Sequence, residues 1–242
     1  MLNKKRIIMS TKVALITGGS KGIGFGIAEA LLKNGYQVAI TSRTINAANL
    51  AASVLVAHGD VLAIEADVKD YKSQQDAINL IIEKWGRLDV LIANAGVGHF
   101  APVDELDVES WNEIIDTNLT GVFYSIKASV EEIKKTKGTI FTISSLAGTN
   151  FFAGGSAYNA SKFGLTGFTQ SVMLDLRKYG VKVSTIMPGS VASHFNDHSP
   201  NTEDDAWKIQ PEDMGKLIVD LLAMPARTLP SKIEIRPTTP KG

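Results

Sequence analysis

Tyr158 stands four residues before Lys162 in the stretch SAYNASKFG (156–164), and Ser145 lies thirteen residues upstream of the tyrosine in FTISSLAG. Residues four apart on a helix share a face, so a phenol and an ammonium so spaced can address one pocket. A neighbouring ammonium favours phenolate over phenol, whose ordinary pKa is about 10. The chemistry that suits is proton exchange with an alcohol or alkoxide, such as the alkoxide left when hydride adds to a carbonyl. The exposed face of an ordinary helix would present the same pair, and a strand end capping a turn would present the same serine. The rest of the chain has to decide between them.

What would position these residues is a repeating framework. Short apolar, β-branched runs, VALIT (13–17), QVAITS (37–42), VLAIEA (61–66), DVLIAN (89–94), GTIFTIS (138–144), KVSTIMP (182–188) and KIEIR (232–236), alternate with amphipathic stretches near 22–34, 45–57, 70–85, 108–135, 157–179 and 211–223. Runs that are apolar on both faces suit parallel strands covered from each side. Strict alternation predicts an α/β fold: a Rossmann-like, doubly wound, seven-stranded parallel sheet with right-handed crossovers and helices on both faces. In such sheets ligands bind beyond the C-terminal ends of the strands, which is where chemistry is to be sought.

At 242 residues and 44% hydrophobic, the chain can bury a large core as one domain, spanning residues 12–242 and preceded by a flexible extension over 1–11, with Met9 an alternative start. Lys+Arg and Asp+Glu number 25 each, so no general field draws nucleic acid or an anionic membrane. Only Ile7, Ile8 and Met9 follow the basic start, too short an apolar run for a signal peptide. No run approaches the roughly 18 apolar residues of a membrane span. The absence of Cys excludes disulfides and thiol catalysis and is compatible with the cytoplasm, the expected location. His99, His194 and His198 lack metal-ligand spacing, and no metal is expected.

The first apolar run enters TGGSKGIG (17–24), where Gly18, Gly22 and Gly24 allow a tight turn and Ser20, Lys21 and Ile23 fill it. Such a turn lets backbone approach a pyrophosphate, whose charge the helix N-terminus attracts. At the end of the second run an NAD site usually offers a carboxylate to the ribose; here Ser42 and Arg43 stand there. Arg43 can fork onto a 2′-phosphate and Lys21 can add a second charge, so NADP(H) is expected over NAD(H).

With the glycine turn, Asn94-Ala95-Gly96, Asn118, Ser145, Tyr158, Lys162 and PGSVAS (188–193) in this order, the chain resembles the short-chain dehydrogenase/reductase family over about residues 12–236. The likeness is to its compact single-domain branch. It implies a catalytic set of Asn118, Ser145, Tyr158 and Lys162, with Asn118 holding a water that relays protons to Lys162 and the family spacing selecting Ser145 over Ser144. It further implies that Asn94, Ala95 and Gly96 line the adenosine ribose side and that Asp67 and Val68 meet the adenine. Pro188, Gly189, Val191 and Ser193 would hold the nicotinamide end, while Lys162 also holds the nicotinamide ribose. Tyr158 would be acid in carbonyl reduction and base in alcohol oxidation, and Ser145 would steady the oxyanion. The assembly implied is a homotetramer, or a homodimer, built on the helices at 108–135 and 157–179.

Phe100, Phe151, Phe152 and Phe195 are expected to wall a hydrophobic substrate pocket. The segment from Pro188 to Pro211 reads as a lid, and its Asp197, Glu203, Asp204 and Asp205 argue for a free ketone or aldehyde over an acidic acyl carrier, although Lys134, Lys135 and Lys137 could dock a carrier elsewhere. A 3-oxoacyl reductase is the alternative activity, and a non-catalytic NADP-binding regulator the alternative class.

Overall fold

Strand β1 (Val13–Ile16) is four apolar residues buried on both faces, and that double burial sets the architecture. Val13 and Leu15 point into one apolar layer and Ala14 and Ile16 into another, so helices must cover both sides. The computed structural model describes residues 11–200 and 203–239 and contains seven strands in the order β3-β2-β1-β4-β5-β6-β7. The others are β2 (Gln37–Ser42), β3 (Val61–Glu65), β4 (Val90–Ala93), β5 (Thr139–Ile143), β6 (Lys182–Pro188) and β7 (Lys232–Ile235). Every pairing is parallel. The expected extension over 1–11 lies outside the described residues, Thr11 apart.

One layer packs Ile27 and Leu31 of α1 (Gly22–Lys33), Ala51 and Leu55 of α2 (Ile45–Leu55), and Met214 and Ile218 of α7 (Pro211–Ala223) onto the sheet. The other packs Ile78 and Ile81 of α3 (Tyr71–Trp85), Ile126 and Ile133 of α5 (Gly121–Thr136), and Leu165 of α6 (Ser156–Leu176). Burying a side chain such as Leu31 or Ile81 is worth about 1.5–3 kcal/mol each, so these layers, rather than helix propensity, hold the helices in place. Strand order reverses between β1 and β4, and the crevice this opens at their C-terminal ends holds the site. Among the described residues no helix is long and apolar enough to cross a membrane.

The single helix expected over 108–135 is two. Helix α4 (Val108–Ile115) gives way to a π-helical turn at Asp116–Thr120 before α5 begins. Asn118, a poor helix former, sits in that turn because its side chain is engaged outside the helix. Its Oδ1 accepts from Val97 N at 2.8 Å, and its Nδ2 donates to Val97 O at 2.9 Å and Ser161 Oγ at 3.1 Å.

Candidate active site

The glycine turn is shaped by backbone that other residues do not readily adopt. Gly18 and Gly22 have φ of 64° and 56°, and α1 follows Lys21 at its N-cap with no side-chain cap, leaving its first N–H groups for an incoming anion. Asn94 ties the turn to β4: its Nδ2 donates to Thr17 O at 2.9 Å and Gly18 O at 3.1 Å. Gly24 is behind this wall, where a Cβ would lie 2.6 Å from both Asn94 Nδ2 and Gly18 O. It permits close packing of the turn against Asn94.

From the turn a cavity of about 1290 Å³ runs to the end of β6. Gly18, Ser20, Lys21, Gly22, Ile23, Ser42, Arg43, Asp67, Val68, Asn94, Ala95 and Gly96 line one part of it, and Ser145, Tyr158, Lys162, Pro188, Gly189, Val191 and Ser193 the other. The residues fit a dinucleotide: a positive-φ glycine cradle faces an uncapped helix, and Thr41 Oγ1, lining the adenosine part, is a buried side-chain oxygen with no partner among the described residues. Thr41 was not anticipated, since a threonine inside a strand run carries no such signal.

At the other end, β5 delivers Ser145 and α6 delivers Tyr158 and Lys162. Ser144 and Ser145 part company there. Ser144 Oγ bonds Lys162 O at 3.3 Å and Thr166 Oγ1 at 3.1 Å, whereas Ser145 Oγ accepts from Ala147 N at 3.1 Å beside the phenol. Lys162 is 4% exposed, its Nζ donating to Ile143 O at 3.0 Å and standing 5.6 Å from the Tyr158 ring centroid. The phenol is not the acidified group expected. Burial pushes the Tyr158 pKa up to about 12, with only partial relief from hydrogen bonding to Ser145, and burial pushes that of Lys162 down to about 8. In the unliganded site desolvation outweighs the attraction of a neighbour one helical turn away, and the proton stays on the phenol.

Asn118 does not line the cavity; both its amide hydrogens are committed, so a relay through it would have to use its oxygen or its main chain. Its clear work is to fix Val97 from two sides. Asn159 was overlooked. Buried next to Tyr158, it donates to Ala147 O at 2.8 Å and Asn150 O at 2.7 Å and so ties the loop after Ser145 to α6.

The expected aromatic residues meet around the phenol, one excepted. Phe100 packs edge-on against Tyr158 at 5.4 Å and Phe152 at 5.6 Å between ring centroids, and Phe195 reaches from the lid to within 5.5 Å of Tyr158. Phe195 can do so because Gly98 has no side chain: a Cβ there would lie 2.4 Å from Phe195 Cζ. Phe151 borders the cavity but faces solvent at 87% exposure. The lid is pinned at its neck by a bridge between Val191 and Ile209. Its acidic character needs correction: Asp205 is buried, accepting from His198 Nε2 and Lys208 Nζ at 2.6 Å each, so it adds no acid to the rim. His198 thus has a partner, and His99 likewise faces Glu113 at 3.2 Å.

The sequence profile described as short chain dehydrogenase matches residues 12–204. A trans-4-hydroxycyclohexanecarboxylate dehydrogenase of Sinomonas cyclohexanicum is 35% identical over 190 residues, covering 76% of this chain and 73% of that protein. A 3-oxoacyl-[acyl-carrier-protein] reductase of Synechocystis sp. is 34% identical over 193 residues, 78% of each. Among solved structures, an alcohol dehydrogenase from the archaeon Thermococcus sibiricus, complexed with 5-hydroxy-NADP, superposes with a TM-score of 0.90 at 27% identity over 96% of this chain and 99% of that one.

Proposed function

The chain belongs to the short-chain dehydrogenase family as a compact single-domain oxidoreductase, and from this we propose that it is an NADPH-dependent carbonyl reductase acting reversibly on a free, partly hydrophobic ketone or aldehyde. The observation that carries the reading is the corner where Ser145 meets the buried Tyr158 and Lys162, at one end of a cavity whose other end offers Arg43 and Lys21 to a phosphate. When bound, the nicotinamide supplies or accepts the hydride. The chain's own residues handle the proton and the charge. Tyr158, held protonated by burial, donates from its hydroxyl as the alkoxide forms, and takes the proton back in alcohol oxidation. Ser145 steadies the developing oxyanion. Lys162 balances the phenolate and is placed to hold the nicotinamide ribose, while Asn118 keeps Val97, and with it the Gly96 segment facing Lys162, in place. Phe100, Phe152 and Phe195 exclude water from the phenol.

The preference for NADPH is supported by Ser42 and Arg43 at the end of β2, and by the 5-hydroxy-NADP held by the Thermococcus relative. The aromatic wall, with the ring substrate named for the Sinomonas relative, favours a cyclic or aryl carbonyl. A second reading, reduction of a carrier-linked 3-oxoacyl group, gains from the Synechocystis relative and from Asp205, which is neutralised inside the lid. Phe123, Phe163 and Leu174, exposed on α5 and α6, would bury themselves in a homodimer or homotetramer, in a cytoplasmic protein with small molecules as its partners. Initial rates of NADPH and NADH oxidation by the purified protein against aryl ketones, cyclic ketones, 3-oxoesters and 3-oxoacyl thioesters test the reading. Faster turnover of free ketones with NADPH is expected; thioester preference would favour the second reading, and tight NADPH binding without any turnover would favour a regulator.

A further inference from the structure

We propose that Glu113 sets how strongly this site prefers a 2′-phosphorylated cofactor, by competing with the phosphate for Arg43; the proposal rests on the NADPH reading above. Arg43, just beyond β2, lines the adenosine part of the cavity. Its Nη1 lies 3.7 Å from Glu113 Oε1, while Glu113 Oε2 lies 3.2 Å from His99 Nε2. Three elements therefore meet at Arg43 and Glu113: the end of β2, the loop after β4, and α4. With one carboxylate oxygen on the imidazole, the other is left turned toward the guanidinium.

Two effects of opposite sign could follow from this contact. A carboxylate that fixed Arg43 in its binding rotamer would help the phosphate; one that occupies the guanidinium and stands beside an incoming anion hinders it. The geometry favours hindrance. At 3.7 Å the contact is an ion pair beyond hydrogen-bond reach, and the Arg43 side chain is 68% exposed, so Glu113 restrains its rotamer weakly. A phosphomonoester brings about 1.5 to 2 negative charges. A carboxylate one guanidinium away lies well inside the Debye length of about 8 Å at physiological salt, so the repulsion is felt. Among the described carboxylates Glu113 is the one within ion-pair distance of Arg43. A ribose without the phosphate brings no charge, and Glu113 should be indifferent to it.

Glu113→Gln keeps the size and helix propensity of the residue and removes its charge. The dissociation constants of NADPH and NADH would be measured by reduced-nicotinamide fluorescence on the purified full chain without substrate, at about 20 mM and about 0.5 M salt, between which the Debye length falls from about 20 Å to about 4 Å. The expected result is NADPH binding tightened about two- to fivefold, the range of an exposed ion pair, with NADH unchanged and the gain lost at high salt. An NADPH constant that stays the same or rises overturns the proposal, and so does equal tightening of both cofactors. Arg43→Ala separates the two levels of inference. If it weakens NADPH while Glu113→Gln changes nothing, only the role of Glu113 fails. If it leaves NADPH untouched, the 2′-phosphate reading has failed and the proposal falls with it.

Discussion

Replacing Lys162 by Met should alter how stability follows pH, and by an amount the structure lets one work out. The ammonium is 4% exposed and burial holds its pKa at about 8. Against about 10.4 in an unfolded chain, keeping it charged at pH 7 costs the fold about 3 kcal/mol. Methionine has similar reach and no charge. Part of the gain is offset because Lys162 Nζ donates to Ile143 O at 3.0 Å, and a strand carbonyl left without that donor costs about 1–3 kcal/mol. At pH 7 the unliganded variant should therefore be as stable as wild type or more stable, by up to about 2 kcal/mol.

The pH dependence is sharper, because the carbonyl does not titrate. The folded pKa lies below the unfolded one, so between them the unfolded chain binds more protons and wild-type stability rises with pH. The penalty is complete below about pH 8 and relieved as pH climbs toward 10.4. From pH 7 to 9 wild type gains about 1.3 kcal/mol from this one group, or about 3–5 °C in Tm for a chain of this size, and Lys162→Met gains none of it. Circular-dichroism melts of both unliganded proteins at pH 7, 8 and 9 and one protein concentration read this directly. Parallel pH curves, with the variant no more stable than wild type at pH 7, would refute the reasoning, since Lys162 would then have to be solvated or paired in the folded state.

Tyr158→Phe removes one oxygen and should cut turnover at least about 10²-fold while the NADPH dissociation constant stays within about twofold; near-wild-type turnover would remove the phenol as the acid. Gly98→Ala places a methyl where Phe195 Cζ lies 2.4 Å away, so the KM for aryl ketones should rise about tenfold with the KM for NADPH unchanged, and an unmoved aryl KM would take Phe195 out of the pocket. Asp205→Asn strips the buried carboxylate from Lys208 and His198; it should cost on the order of 3 kcal/mol and expose the lid to trypsin, and wild-type Tm and cleavage rate would show that the cluster does not hold the lid.

How much could be read without coordinates depended on whether the cause was local. The strands were legible because a run such as VALIT, apolar at every position, has few places to go but the middle of a doubly covered sheet. The family was legible because the order of its motifs along the chain is long and specific, even where single motifs are weak, and the fold brings the candidates Ser145, Tyr158 and Lys162 to one corner of the cavity. The break between α4 and α5 was not, since the apolar spacing runs through it and only Asn118 hints that a side chain is wanted elsewhere. Asp205 read as an acid of a polar lid; that an ammonium and an imidazole meet it depends on how 198 and 208 fold back on it. Glu113 and Arg43 are seventy residues apart and carry no mutual signal in the chain.

The pKa of the phenol belongs to the same class of non-local facts and bears on the mechanism. Sequence spacing puts an ammonium near Tyr158, and a unit charge at the 5.6 Å that separates Lys162 Nζ from the ring centroid would, at an effective dielectric constant of about 20, be worth about 3 kcal/mol to a phenolate, or about two pKa units. Burial outweighs it, for the phenol stands at about 12 with the ammonium already beside it. Lys162 alone therefore does not bring Tyr158 down to the ordinary range of a tyrosine. For reduction that is no handicap, because the group must arrive carrying its proton. In the oxidative direction too little of it is phenolate at neutral pH to take a proton unless further positive charge enters the corner, which ties alcohol oxidation to a filled site.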